Sequence, residues 1–236
     1  MLTQATEALR ARVRGISTGI LAADLARLGE ATGHVGGWGG HMLHFDIMDG
    51  VFVPQLTAGP AFVAALDTGM VRDVHLMVAD PVRQAGPFVA AGADIVTVHA
   101  EAPDALAALR AVRTQAERLQ RPVLAGLAVM PSTPLADVEP LLSERPDLLL
   151  SLALDPRVTA PADVDLAGRR LRDLALAAGR HGGAPLLAID GGITALTFAE
   201  ALAFGPDVIV TGSAVFRAPV PAEAFAEMAG AFERAP

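Results

Sequence analysis

Residues 43–50 read LHFDIMDG, a short apolar run interrupted at every second position. Leu43, Phe45 and Ile47 are apolar, whereas His44 and Asp46 occupy the alternate places. Successive side chains of a strand point to opposite faces, so His44 and Asp46 share one face of a segment that otherwise reads as core. The combination recurs in DVHLMV (73–78), where Asp73 aligns with His75, and in LLAIDGG (186–192), which reaches Asp190 before a glycine pair. A buried Asp or His is costly unless it is paired or bound to a metal. Two His and two Asp at strand ends suit one divalent cation, and they also supply two carboxylates for proton transfer.

On either side, apolar runs alternate with Ala- and Leu-rich stretches. Strands are expected near 15–21, 42–47, 72–78, 94–99, 122–129, 147–154, 185–190 and 207–212. Helices are expected near 24–35, 60–68, 81–91, 104–119, 135–143, 163–181, 194–204 and 221–233. Such an alternation predicts an α/β fold, a (β/α)8 TIM barrel over residues 1–236, rather than an open doubly wound sheet. Near-continuous apolar runs such as DLLLSLAL fit strands covered on both faces. Residues 1–13 form either a helical extension capping the barrel bottom or a loose tail. Chemistry in such barrels gathers at the C-terminal ends of the strands, where His44, Asp46, His75 and Asp190 fall.

Composition removes several alternatives. There is no Cys, which excludes disulfides, thiolate nucleophiles and Cys-ligated zinc. All 18 basic residues are Arg. The absence of Lys removes Schiff-base aldolase chemistry, a lysine-bound pyridoxal cofactor and the P-loop lysine. Acid–base work falls to Asp, Glu and His. The net charge of −8 and the lack of a basic cluster argue against a nucleic-acid partner. The first fifteen residues lack the apolar stretch of a signal peptide, and Leu148–Leu154 is too short to span a membrane. The expectation is a cytoplasmic protein with no membrane partner.

Each signal has a plainer reading. A lone His on an apolar strand is more often a core or surface residue than a ligand. Four suitable residues at independent strand ends favour a site. His99, in TVHAEA, lines the pocket or is structural. Asp73 either assists the site or is a carboxylate at a strand start, the second being the default, and Asp49 reads as a turn cap beside Gly50. Met48 and Met77 fill space or form an apolar lid. The pairs Gly191–Gly192 and Gly212–Ser213 follow strands seven and eight, where barrels often bind phosphate through backbone N–H groups.

The segments GILAADLARLGE, LHFDIMDGVFVPQLTAGP, DVHLMVADP, AGADIVTVHAEA, MPSTPL, IDGGI and TGSAVF occur in this order over about residues 16–216. In them the chain resembles the ribulose-phosphate 3-epimerase family. The resemblance implies a homo-oligomeric (β/α)8 barrel binding one divalent ion, Zn, Fe or Mn, through His44, Asp46, His75 and Asp190. It implies Asp46 and Asp190 as the catalytic acid–base pair, with Met48 and Met77 in a methionine lid. Departures gather on the substrate side. The family's Pro-Ser-Ile-Leu is Thr18-Gly19-Ile20-Leu21 here, and its Asn-Pro after strand five is Met130-Pro131. Its glycine loop after strand six is replaced from Leu152 to Pro161, where Arg157 either pairs with phosphate or is a solvated residue.

The reading that follows is a metal-dependent isomerase inverting C3 of a ketose phosphate. D-ribulose 5-phosphate is the default sugar-phosphate partner, within the pentose phosphate pathway. The alternatives are an epimerase of another ketose or ketose phosphate, such as a six-carbon 6-phosphate, and a paralogue that binds metal and sugar phosphate without turnover. A carboxylate-only lyase or decarboxylase on the same barrel is disfavoured by the missing Lys.

Overall fold

The computed structural model describes residues 2–235. Eight parallel strands close into a barrel in sequence order, the first pairing with both the second and the eighth. They are β1 (Gly15–Gly19), β2 (Met42–Met48), β3 (Val71–Met77), β4 (Ile95–His99), β5 (Leu124–Val129), β6 (Leu148–Leu152), β7 (Leu186–Asp190) and β8 (Val208–Thr211). The helices are α1 (Leu2–Arg12), α2 (Leu28–Gly37), α3 (Pro60–Ala65), α4 (Pro81–Ala90), α5 (Ala105–Arg118), α6 (Leu135–Val138), α7 (Val164–Arg180), α8 (Phe198–Leu202), α9 (Ser213–Phe216) and α10 (Pro221–Glu233). The (β/α)8 barrel expected from the alternation is the fold observed.

Strand parity separates two cores. Leu43, Phe45 and Ile47 of β2 and Val74 and Leu76 of β3 face outward and pack under the helices with Phe88, Leu109 and Leu171. Met42, Val71, Ile95, Leu124, Leu148, Leu186 and Val208 form a second cluster inside the barrel near its N-terminal end. Leu9 of α1 and Val13 belong to that inner cluster, so the first helix closes the bottom. Full burial of each such side chain contributes about 1.5–3 kcal/mol. Higher in the barrel the inward positions of β1–β4 become polar, with Ser17, His44, Asp73, His75, Thr97 and His99 all buried, while those of β5, β6 and β8 stay apolar at Ala128, Leu150, Leu152 and Val210.

Three strand starts share one device. Asp94, Asp147 and Asp207 precede β4, β6 and β8. Each carboxylate accepts a backbone N–H of the preceding strand or its start: Arg72 at 2.8 Å, Ala125 at 2.9 Å and Leu187 at 2.9 Å. Helices start on equally local signals. Asp80 and Asp163 cap α4 and α7 through the N–H groups of Arg83 and Leu166, and Pro60, Pro81 and Pro221 open α3, α4 and α10.

Several helices are shorter than the periodicity predicts. The stretch expected as 135–143 divides into α6 and a 3₁₀ segment, Glu139–Glu144, with Pro140 in its first turn. Proline lacks the N–H that would continue the helical ladder. Of 194–204 only α8 is regular; the hydroxyls of Thr194 and Thr197 bond each other, and each accepts the other residue's backbone N–H instead. The first strand ends at Gly19 and passes into a 3₁₀ turn, Ile20–Ala22. No described helix is long and apolar enough to cross a membrane.

Candidate active site and metal centre

Register brings the site together. In the β2–β3 pairing His44 lies beside Asp73 and Asp46 beside His75, so all four point into the barrel mouth. Asp190 arrives at the end of β7, paired with Leu152 of β6. His44 Nε2 lies 3.3 Å from Asp46 Oδ1 and 3.5 Å from Asp190 Oδ2. His75 Nδ1 lies 3.3 Å and 3.6 Å from the same two oxygens. One donor atom from each of the four residues falls within 4.8 Å of the others.

These spacings fit a cation. An ion about 2.0–2.2 Å from four N and O ligands at tetrahedral angles holds them about 3.3–3.6 Å apart. The imidazole Nδ1 of His75 is buried without a hydrogen-bond partner, which is costly unless something else occupies its lone pair. A two-nitrogen, two-carboxylate set suits zinc, iron or manganese.

Each histidine is anchored from behind. Asp73 Oδ2 accepts from His44 Nδ1 at 2.8 Å and from the Ser17 hydroxyl at 2.8 Å. Asp73 therefore does not serve a strand start, as its sequence position suggested; it sits one inward position below His75 and is buried. His75 Nε2 meets His99 Nε2 at 2.8 Å, and His99 Nδ1 lies 2.9 Å from Glu101 Oε2. The rings of His75 and His99 meet edge to edge and nearly coplanar, with centroids 4.9 Å apart and planes 22° apart, and the tilted ring of Phe52 lies against His99 at 5.0 Å.

Charge follows from these contacts. Burial pushes the pKa of His44 down, but the carboxylates of Asp73 and Asp46 outweigh it and hold the ring well above its ordinary value. Burial acts the same way on His75, where Asp190 and Asp46 reverse it. Burial would raise the Asp46 carboxyl, yet the two histidines bring it below the usual carboxylate range. His99 goes the other way: burial dominates and lowers it to about 4. Burial alone would raise Glu101, but His99, the Thr133 hydroxyl and the Met130 N–H lower it to about 2.

Beside the four residues opens a cavity of about 280 Å³ whose lining includes Asp46, Asp190, Met48, Gly192, Gly212 and Ser213. Gly191 and Met77 do not line it. The Gly191 N–H is spent on Asp190 Oδ1 at 2.6 Å, and Met77 is buried. Gly191 and Gly192 have φ of +102° and +64°, and a Cβ on Gly192 would lie 2.7 Å from Ala162. A Cβ on Gly212 would lie 2.2 Å from the carbonyl oxygen of Gly19. A Cβ on Gly19 itself meets only ordinary contacts at 3.6 Å or more, so crowding does not explain the serine lost there.

Arg157 is not in the lining. Its Nε lies 2.9 Å from Asp155 Oδ1, and its Nη2 lies 2.7 Å from Oδ2. The arginine that does line the cavity is Arg217, which has no ion pair or side-chain hydrogen bond among the described residues. It lies one turn beyond Ser213 in TGSAVFR, and that spacing was its only trace in the sequence. Asp49 caps its turn as expected, accepting from Val51 and Phe52 at 2.9 Å each.

A sequence model described as the ribulose-phosphate 3-epimerase family matches residues 15–216. The chain is 37% identical over 213 residues to a ribulose-phosphate 3-epimerase of Synechocystis, covering 89% of this chain and 91% of that one. It is 36% identical over 211 residues to the chloroplastic ribulose-5-phosphate-3-epimerase of Arabidopsis thaliana, covering 89% and 74%. Among solved structures, a 3-hexulose-6-phosphate synthase from Salmonella typhimurium superposes with a TM-score of 0.67 at 18% identity, over 94% of this chain and 100% of that one. That likeness shows the shared barrel. The sequence matches show more: the chain belongs to the ribulose-phosphate 3-epimerase family and is an isomerase, an epimerase.

Proposed function

We propose that the protein inverts C3 of a ketose phosphate, converting D-ribulose 5-phosphate to D-xylulose 5-phosphate by two-base proton transfer. The observation that carries this reading is the sharing of one cavity. Asp46 and Asp190, two carboxylates from different strands, line it together with Gly192, Gly212, Ser213 and Arg217. A proton on the carbon next to a ketone is weakly acidic, and its loss gives an enediolate. One carboxylate accepts that proton on one face of the carbon, and the other returns a proton on the opposite face. A divalent ion held by His44, Asp46, His75 and Asp190 supplies Lewis-acid stabilisation of the developing oxyanion. Met48, half-buried beside the carboxylates, keeps an apolar surface against the reacting carbon.

Incubation with D-ribulose 5-phosphate in heavy water tests the reading. Deuterium is expected at C3 together with xylulose 5-phosphate. Sugar binding with no exchange would make this a non-catalytic paralogue. Exchange confined to a different ketose, such as a six-carbon 6-phosphate, would keep the chemistry and move the substrate. The rebuilt segment from Asp155 to Pro161 is the reason to include that sugar, since it replaces the family's glycine loop.

The phosphate falls to Gly192, Gly212, Ser213 and Arg217 rather than to Arg157. A charge-assisted hydrogen bond contributes about 1.5–3 kcal/mol, or roughly 10–100-fold in affinity. Arg217→Ala therefore raises KM for the phosphorylated sugar by about that factor and leaves KM for the free sugar nearly unchanged. Arg157→Ala has a much smaller effect, because Asp155 already holds its charge. Equal responses to phosphorylated and free sugars would remove Arg217 from the phosphate site.

A further inference from the structure

We propose that Glu101 is a positioning residue for the metal centre: acting through His99, it fixes the tautomer in which His75 presents an unprotonated Nδ1 to the cation. The proposal rests on the reading of His75 as a metal ligand.

Glu101 stands just past β4, and its side chain is 10% exposed. Its Oε1 accepts the backbone N–H of Met130 at 2.8 Å and the Thr133 hydroxyl. A backbone amide can only donate, so Oε1 is fixed as an acceptor. Oε2 lies 2.9 Å from His99 Nδ1, and a carboxylate oxygen there places the His99 proton on Nδ1. The lone pair of a singly protonated His99 is then on Nε2. The 2.8 Å contact between that nitrogen and His75 Nε2 holds one proton, which must sit on His75. His75 Nδ1 is thereby left bare, facing Asp46 Oδ1 at 3.3 Å and Asp190 Oδ2 at 3.6 Å.

Both histidine rings are fully buried, so solvent cannot replace either link. The two ligands are oriented from different sides and through opposite nitrogens. Asp73 holds Nδ1 of His44 directly, leaving Nε2 for the site, whereas Glu101 reaches His75 through an intervening ring. Glu101 also ties the site to the loop after β5 at Met130 and Thr133. Partners of this kind, one shell behind the ligands, typically change metal affinity by about 10–100-fold when altered.

Glu101→Gln is the informative variant, because it is nearly isosteric. The amide oxygen stays with the Met130 N–H, which turns the NH2 group towards His99 Nδ1. That reverses both ring tautomers and puts the His75 proton on Nδ1. The dissociation constant for zinc, read by competition with a chromophoric chelator, is expected to rise about 10–100-fold. Nitrogen chemical shifts of the metal-free protein in alkaline solution are expected to place the proton on Nε2 of His75 in the wild type and on Nδ1 in the variant. A buttress with no tautomeric role would lower thermal stability and leave those shifts alone. His99→Gln supplies an acceptor oxygen to His75 without help from Glu101, so adding Glu101→Gln to it should cost no further affinity. The proposal falls if wild-type His75 carries its proton on Nδ1, or if Glu101→Gln keeps wild-type shifts and zinc affinity. If the wild type binds no zinc, the reading of His75 as a ligand falls instead, and the shifts still decide whether Glu101 sets its tautomer.

Discussion

Asp190→Asn is expected to lower kcat for epimerisation by about 10²–10⁴-fold, the usual contribution of a positioned acid or base. The barrel should remain folded. The substitution is isosteric, and an amide oxygen in the place of Oδ1 still accepts the Gly191 N–H that now reaches it at 2.6 Å. What changes is the other end. Oδ2, 3.5 Å from His44 and 3.6 Å from His75, becomes a donor that can neither take a proton nor balance the two rings. Asp46 is untouched on its own strand. A two-base mechanism therefore makes a finer prediction than loss of rate. The epimer whose C3 proton faces Asp46 should retain more solvent exchange than its partner, with little product formed from either. Following each epimer separately by proton NMR in heavy water reads both quantities. Near-normal turnover would remove Asp190 from proton transfer, and equal loss of exchange from both epimers would point to its ligand role alone.

The elements that were legible in the sequence are those whose signal is local. β2 could be read from LHFDIMDG because alternation alone puts His44 and Asp46 inward, and register then only had to bring β3 alongside. The strand-start reading of Asp73 fails for a physical reason, and its alternative, a residue assisting the site, fits the contact with His44. Asp94, Asp147 and Asp207 do bond neighbouring backbone at strand starts, and Asp73 also lies near the start of its strand. Its parity with His75 was visible. That β2 would place His44 beside it was not, because pairing register is a tertiary quantity. The arginines show the same limit. Arg157 and Arg217 both follow a strand near the mouth, but only the folded chain shows that Asp155 pairs with the first and that the second is the one among the cavity-lining residues. Glu101 was hidden because its partners, Met130 and Thr133, come from the loop after the next strand.

Stripping the metal is expected to abolish exchange at C3, and stoichiometric zinc, manganese or ferrous iron to restore it. The pH dependence of reloading is a sharper test than the loss itself. Burial works against protonation of His44 and His75, yet the carboxylates around them hold both rings above the ordinary histidine value. In the metal-free protein these rings keep protons to a higher pH than free histidine does, and a cation must displace them. Affinity should therefore rise with pH through the neutral range and level off once both rings are neutral. The same raised values stabilise the metal-free fold fully below the unfolded histidine pKa, a contribution lost as pH rises through the folded values. Metal-free protein should thus weaken just where the cation binds best, so the gap in Tm between loaded and stripped protein widens as pH rises. Calorimetry in buffers of different ionisation enthalpy would count the protons released. Zinc uptake without proton release, or a Tm gap that narrows with rising pH, would place the cation somewhere other than between His44 and His75.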